Sequence, residues 1–167
     1  MHHRNPVSIR ERMKNKICFM LFVSILALSS LSGCAGLKII VLSDPLTPEE
    51  HINLGVAYEK NGELDNALME YKKASKKSDQ AFLYLGNIYF QKGDLDKAER
   101  SYRKAIRKDP GNADAMNNLA WLYCTKQVNL EEAAGLARKA IQLNPSKAEI
   151  YQNTLDKIES LRRPSLE

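Results

Sequence analysis

Side chains able to do covalent or acid–base chemistry are few in this chain of 167 residues. Cys18 lies inside an apolar run and Cys34 at its end, while Cys124 is alone in the rest of the chain. No intramolecular disulfide framework can be built from that distribution. Cys124 would act as a nucleophile only beside a base, and the sequence offers none, so it reads as a semi-buried packing thiol. His51 has no second histidine, cysteine pair or carboxylate cluster at metal-ligand spacing, and reads as an ordinary surface residue. The His2-His3 pair reads as a flexible terminus, and would not exist in the protein if translation starts at Met13. There is no phosphate-binding glycine loop. No metal site, no cofactor and no catalysis by this chain are expected.

That leaves Cys34, whose context is informative. Lys14 and Lys16 precede an almost unbroken apolar run from Ile17 to Leu31, and small residues follow it. Charged, then apolar, then small is the order of a secretory signal. The run is short for a membrane span of about 20 residues, although an uncleaved anchor is the alternative. Leu31-Ser32-Gly33-Cys34 resembles the lipobox of bacterial lipoproteins. The resemblance implies a signal peptide over 1–33 and Cys34 as the lipidated first residue of the mature chain. Ala35, rather than Asp, follows that cysteine, and the resemblance then favours the periplasmic face of the outer membrane. A linker over 34–47 contains the β-branched run Lys38-Ile39-Ile40-Val41-Leu42, which could be a short strand.

From Pro48 the elements that would position any site repeat. Leu54-Gly55, Leu85-Gly86 and Leu119-Ala120 are each followed by Tyr58, Tyr89 and Tyr123. Then come Ala67, Ala98 and Ala133; Tyr71, Tyr102 and Ala137; and Ala74, Ala105 and Ala140. The offsets between the small residues are 31 and 34. Leu and Tyr at i, i+4 share one helical face, and the small residues let paired helices approach. Asn61-Gly62 and Lys92-Gly93 stop first helices because Gly tolerates a left-handed cap. Thr47-Pro48-Glu49-Glu50 starts one with a capping box and a first-turn Pro. Asn129 with Glu132, and Ser146 with Glu149, have related spacing.

The pattern resembles the tetratricopeptide repeat, a helix–turn–helix unit of about 34 residues. The fold expected is all-α: a right-handed superhelical stack of three such repeats, at about 48–78, 79–112 and 113–146. A capping helix over 147–162 and a tail over 163–167 follow. The expected helices are 48–60, 64–77, 79–92, 95–108, 113–126, 130–143 and 147–162. The last would cover the open end with Ile150, Thr154, Ile158 and Leu161, with Tyr151 and Leu155 beside them. Repeat one lacks the family's closing Pro, and repeat three lacks the turn Gly.

The resemblance also implies a concave face lined by first-helix residues, with Ile52, Val56, Leu83, Asn87, Phe90, Asn117 and Trp121 as the partner groove. For Trp121, groove contact and plain packing are both open. The Lys/Asn clamp with which related proteins capture a C-terminal carboxylate is absent, since Ile52, Val56 and Asp114 stand at three of its positions. The tyrosines read as core rather than a stacking platform.

The formal charge of +5 gives no case for nucleic acid, because five of the 25 basic residues and only one of the 20 acidic ones precede Cys34. What remains is close to neutral. The function expected is a membrane-anchored adaptor or assembly factor in the bacterial envelope, binding unidentified envelope proteins. The alternative is a non-catalytic accessory subunit of an exported peptidase or polymer-export machine. Homo-oligomerisation is left open by the short stack's exposed ends.

Overall fold

The computed structural model describes residues 44–162. Cys34, the apolar run, the Lys38-to-Leu42 stretch and the last five residues lie outside them. Seven α-helices make up the described part: α1 (Pro48–Lys60), α2 (Leu64–Ala74), α3 (Ala81–Gln91), α4 (Leu95–Lys108), α5 (Ala113–Lys126), α6 (Leu130–Leu143) and α7 (Ala148–Arg162). A 3-10 turn, Pro145–Lys147, precedes α7. None of these helices is long and apolar enough to cross a membrane.

Each helix packs on the next, so α1/α2, α3/α4 and α5/α6 form three hairpins. The first helices also touch along the stack, α1 with α3, α3 with α5, and α5 with α7, whereas α2, α4 and α6 make no such contact with one another. The first helices are thus the inner row, the one row that is continuous along the stack.

Local chemistry accounts for the helix ends. Thr47 Oγ1 accepts from the Glu50 amide while Glu50 Oε2 accepts from the Thr47 amide at 2.7 Å, which is the capping box at α1. Such a cap is worth about 1 kcal/mol. Gly62 and Gly93 close α1 and α3 with φ of 78° and 76°, a region that costs an L side chain energy. The third hairpin has no glycine there, and Gln127 and Asn129 take up left-handed φ of 53° and 49° instead. In that conformation Asn129 makes no side-chain cap, so the capping role expected of it is corrected. Ser146 bonds Asn144 in the 3-10 turn rather than capping α7. The caps at α4 and α5 are Asp94 on the Lys97 amide and Asn112 on the Ala115 amide.

The hairpins are held by size matching. Gly55 faces the ring of Tyr71, and Gly86 that of Tyr102, so closely that a Cβ at either position would overlap the ring. In the third hairpin the pair is Ala120 and Ala137, both fully buried. Ala67, Ala98 and Ala133 are buried at matching places, and Tyr71, Tyr102 and Tyr123 are core residues as expected.

Three expectations are corrected. Helix α2 ends at Ala74, not 77, because the Lys76 and Lys77 amides turn back to Lys73 and Ala74 in tight turns. Helix α3 starts at Ala81 rather than 79. Helix α7 buries Tyr151, Thr154, Leu155 and Ile158 against the stack, while Ile150 and Leu161 are exposed. The buried stripe is thus rotated by about one residue from the expected one. Tyr151 on Asp114 and Arg138 on Glu159 tie α7 to α5 and α6, and Lys147 ties the 3-10 turn to Asp114 as well.

Candidate functional site

A cavity of about 230 Å³ opens on the inner row, lined by Glu59, Asn87, Phe90, Gln91, Tyr102, Asn118 and Trp121. Six of these seven come from first helices: Glu59 from α1, Asn87, Phe90 and Gln91 from α3, and Asn118 and Trp121 from α5. Tyr102 reaches in from α4, with its ring packed on Gly86 and its hydroxyl at the cavity.

A ladder of side-chain hydrogen bonds runs within and between successive hairpins. Tyr71 Oη donates to Glu59 Oε2 at 2.8 Å, and Gln91 Nε2 donates to the other oxygen of the same carboxylate. One hairpin further, Tyr102 Oη donates to Asn87 Oδ1 at 3.0 Å and Asn118 Nδ2 to the same oxygen at 2.8 Å. In each case a tyrosine from a second helix meets a first-helix acceptor, and an amide from the next first helix completes it. Buried tyrosines need such partners for their hydroxyls. Burial first, then for Tyr71 the hydrogen bond to Glu59 and for Tyr102 the Glu59 charge, push both phenols well above the ordinary range.

Tyr123 departs from the ladder. Its hydroxyl sits between Glu99, 2.9 Å away, and Arg103 of α4. Burial first, then the Glu99 hydrogen bond, raise its pKa to about 12. Arg103 also reaches Glu132, so this cluster braces α4 against the third hairpin.

The seven residues assigned to the groove from sequence separate in space. Asn87, Phe90 and Trp121 line the cavity. Leu83 lines a neighbouring depression of about 340 Å³ with Asp79, Gln80, Ala105, Asp109, Asn112 and Asp114. Ile52 is enclosed in the core, Val56 packs half-buried against it, and Asn117 is buried with its Oδ1 unpartnered. Phe90 does two jobs, lining the cavity and packing on the core. Trp121 is 42 % exposed and is the larger free aromatic surface. Sequence reasoning did not place Tyr102 or Asn118 at the groove. Tyr102 was assigned to the core, which its ring occupies. Asn118 had a usable signal, because it stands three residues before Trp121 and therefore on the same helical side.

Two other groups bear on chemistry. His51 is not a surface residue: it is 4 % exposed, with Nδ1 2.6 Å from Glu70 Oε2. Lys73 donates to the other Glu70 oxygen at 2.8 Å. Burial raises the Glu70 pKa, but the bonds from Lys73 and His51 outweigh it and hold the carboxyl below its ordinary value. Cys124 is buried in the core, and burial pushes its thiol up, opposed by Lys157. A thiol held in its neutral form is a poor nucleophile. Among the described residues no group of His, Cys, Asp and Glu is placed to hold a metal ion.

Hairpin pairing, small-on-large packing and an inner row of first helices are properties of one known architecture. Models of the tetratricopeptide repeat match residues 51–76 and 83–148, together more than half of the chain. This chain belongs to the tetratricopeptide repeat family. Solved repeat structures share its fold. The TPR2B domain of yeast Sti1, in complex with a pHsp70 partner, superposes with a TM-score of 0.64 at 18% identity, covering 70% of this chain and 98% of that one. The first repeat domain of Spaghetti (RPAP3), bound to the HSP90 peptide SRMEEVD, gives 0.63 at 22% identity over 70% and 94%. A repeat protein from Parabacteroides merdae gives 0.59 at 24% identity over 71% and 48%. No curated protein matches the chain. Tetratricopeptide repeat proteins generally mediate protein–protein interactions, and the inner row of this one offers a cavity with exposed aromatic surface.

Proposed function

We propose that this repeat protein is a lipid-anchored adaptor of the bacterial cell envelope, holding a partner protein in the groove of its first helices. The observation that carries the reading is the cavity bounded by Phe90, Tyr102 and Trp121 on three different helices, with amides around it. Apolar anchors in a pocket supply affinity, and amides at its edge fix the register of a bound segment. In this reading the chemistry of such a complex resides on the partner.

The anchor in this reading is Cys34, lipidated after cleavage of residues 1–33. The Lys14/Lys16, apolar-run and Leu31-Ser32-Gly33-Cys34 order supports it, and Ala35 favours the periplasmic face of the outer membrane. Residues 35–47 would tether the stack to that surface. The Sti1 and RPAP3 domains share the fold, but the acidic peptide of RPAP3 is not a guide to the partner here. Glu59 and Asp114 line the two depressions where an acidic tail would need cations.

Affinity capture from solubilised membranes tests the groove. Trp121→Ala removes a half-exposed ring and is expected to lose the partner with little change in melting temperature. A variant that melts normally and retains every partner of the wild type rejects the groove. Asn87→Ala/Phe90→Ala is the less clean probe, because Phe90 also packs on the core and Asn87 satisfies Tyr102.

A further inference from the structure

We propose that the cavity between Glu59 and Trp121 is an arginine-binding pocket, taking the side chain of an arginine on an extended segment of the partner. The inference rests on the groove reading and adds the chemistry of what the groove selects.

The first observation is a carboxylate without a counter-charge. Glu59 is the only charged residue lining the cavity. It accepts hydrogen bonds from Tyr71 and Gln91, both neutral donors, and no lysine or arginine pairs with it among the described residues. Many other acids of the stack, including Asp65, Asp79, Asp96, Glu99, Asp114 and Glu131, have cationic partners. A half-buried carboxylate beside aromatic walls attracts a cation more strongly than a fully solvated one, because the local dielectric is lower.

The second observation is the wall itself. Phe90 and Trp121 line the same cavity as Glu59 with ring surface, while Tyr102, its ring buried on Gly86, adds its hydroxyl. A guanidinium suits both: it is planar and weakly hydrated, it stacks on indole and phenyl faces, and it offers a fork of donors to a carboxylate. A lysine ammonium is a strongly hydrated point charge and suits the ring walls less well. The third observation concerns the main chain of the guest. Asn87 uses its oxygen twice and leaves its NH2 free, and Asn118 gives its NH2 and leaves its oxygen free. A donor and an acceptor among the lining side chains thus remain for the main chain of the guest. The second depression differs, because its Asp79 and Asp114 are already paired with Lys108 and Lys147.

Trp121 is the chain's single tryptophan, so its emission in the full-length protein in detergent reads this site alone. The probes are N-acetylated, C-amidated Ala-Arg-Ala and its Lys, Leu and Glu counterparts. The arginine peptide should shift Trp121 emission saturably and bind at least roughly fivefold tighter than the leucine peptide. Lysine should fall between them, and the glutamate peptide should not bind. Glu59→Gln keeps an acceptor for Tyr71 and Gln91 and should abolish the arginine preference. Gln91→Lys, at an exposed position, places an internal cation beside Glu59 and should do the same if Glu59→Gln fails to fold. Equal binding of leucine and arginine, or no emission change with any peptide, overturns the arginine pocket. If Trp121→Ala nevertheless loses the membrane partner, the groove reading survives and only its selectivity falls. If that capture is unaffected as well, both fall.

Discussion

The ring of Tyr102 lies against Gly86 while its hydroxyl, 3.0 Å from Asn87 Oδ1, faces the groove cavity. One side chain therefore sets the spacing of α3 and α4 and the shape of the candidate site. The packing that holds a hairpin together and the surface it offers to a partner cannot be altered independently here.

Glycine substitutions should separate close approach from mere flexibility. Gly86→Ala puts a methyl group inside the Tyr102 ring, and overpacking of this kind costs about 1–3 kcal/mol. Gly135 in α6 is exposed, with nothing within 4 Å of an added Cβ. Gly135→Ala should stabilise the stack by about 0.5–1 kcal/mol through the helix propensity of alanine. Urea melts followed by circular dichroism check both signs. Equal midpoints would mean that hairpin packing does not depend on the Gly86–Tyr102 contact.

The buried pair of His51 and Glu70 predicts an acid limb of stability. The folded-state pKa of Glu70 is depressed by Lys73 and His51 against the opposing effect of burial. A depressed carboxyl contributes stability above its unfolded-state pKa and loses it as pH falls through the folded-state value. The wild type should therefore lose stability below about pH 4.5 more steeply than Glu70→Gln. His51→Ala at neutral pH leaves Glu70 with one partner fewer and should cost about 1–3 kcal/mol. Urea midpoints between neutral pH and about pH 3 measure both. Parallel profiles for wild type and Glu70→Gln would remove the pair from the stability account.

Repeat spacing and helix stops were legible because small residues, tyrosines and glycines recur at fixed offsets, and each offset has one steric reason. The burial of His51 was not legible. Its partner is 19 residues away, on a helix whose rotation about its own axis no local pattern fixes. The rotation of α7 was lost for the same reason: Ile150 and Tyr151 both look buriable, and the neighbours that take Tyr151 inward, Ala113 and Met116 with the acceptor Asp114 of α5, are distant in sequence. At the cavity, Phe90 and Trp121 were visible from repeat position. Ile52 was not visible as core, since position within a repeat does not reveal how far a neighbouring helix covers it.

Anchoring has its own prediction. Cys34→Ala should abolish incorporation of labelled palmitate and leave the signal segment uncleaved by the lipoprotein peptidase. Metabolic labelling with gel mobility reads both, and undiminished label on the variant would rule out Cys34 as the lipidated residue.

Site-specific photo-crosslinking in intact cells asks whether the inner row of first helices holds the partner. A benzophenone side chain replaces Trp121 in the cavity, or Arg100 or Arg138 on exposed faces of α4 and α6. A groove-bound partner gives one crosslinked species from position 121, competed by overexpressed wild-type protein and absent from positions 100 and 138. The same species captured from 100 or 138 and not from 121 would contradict it.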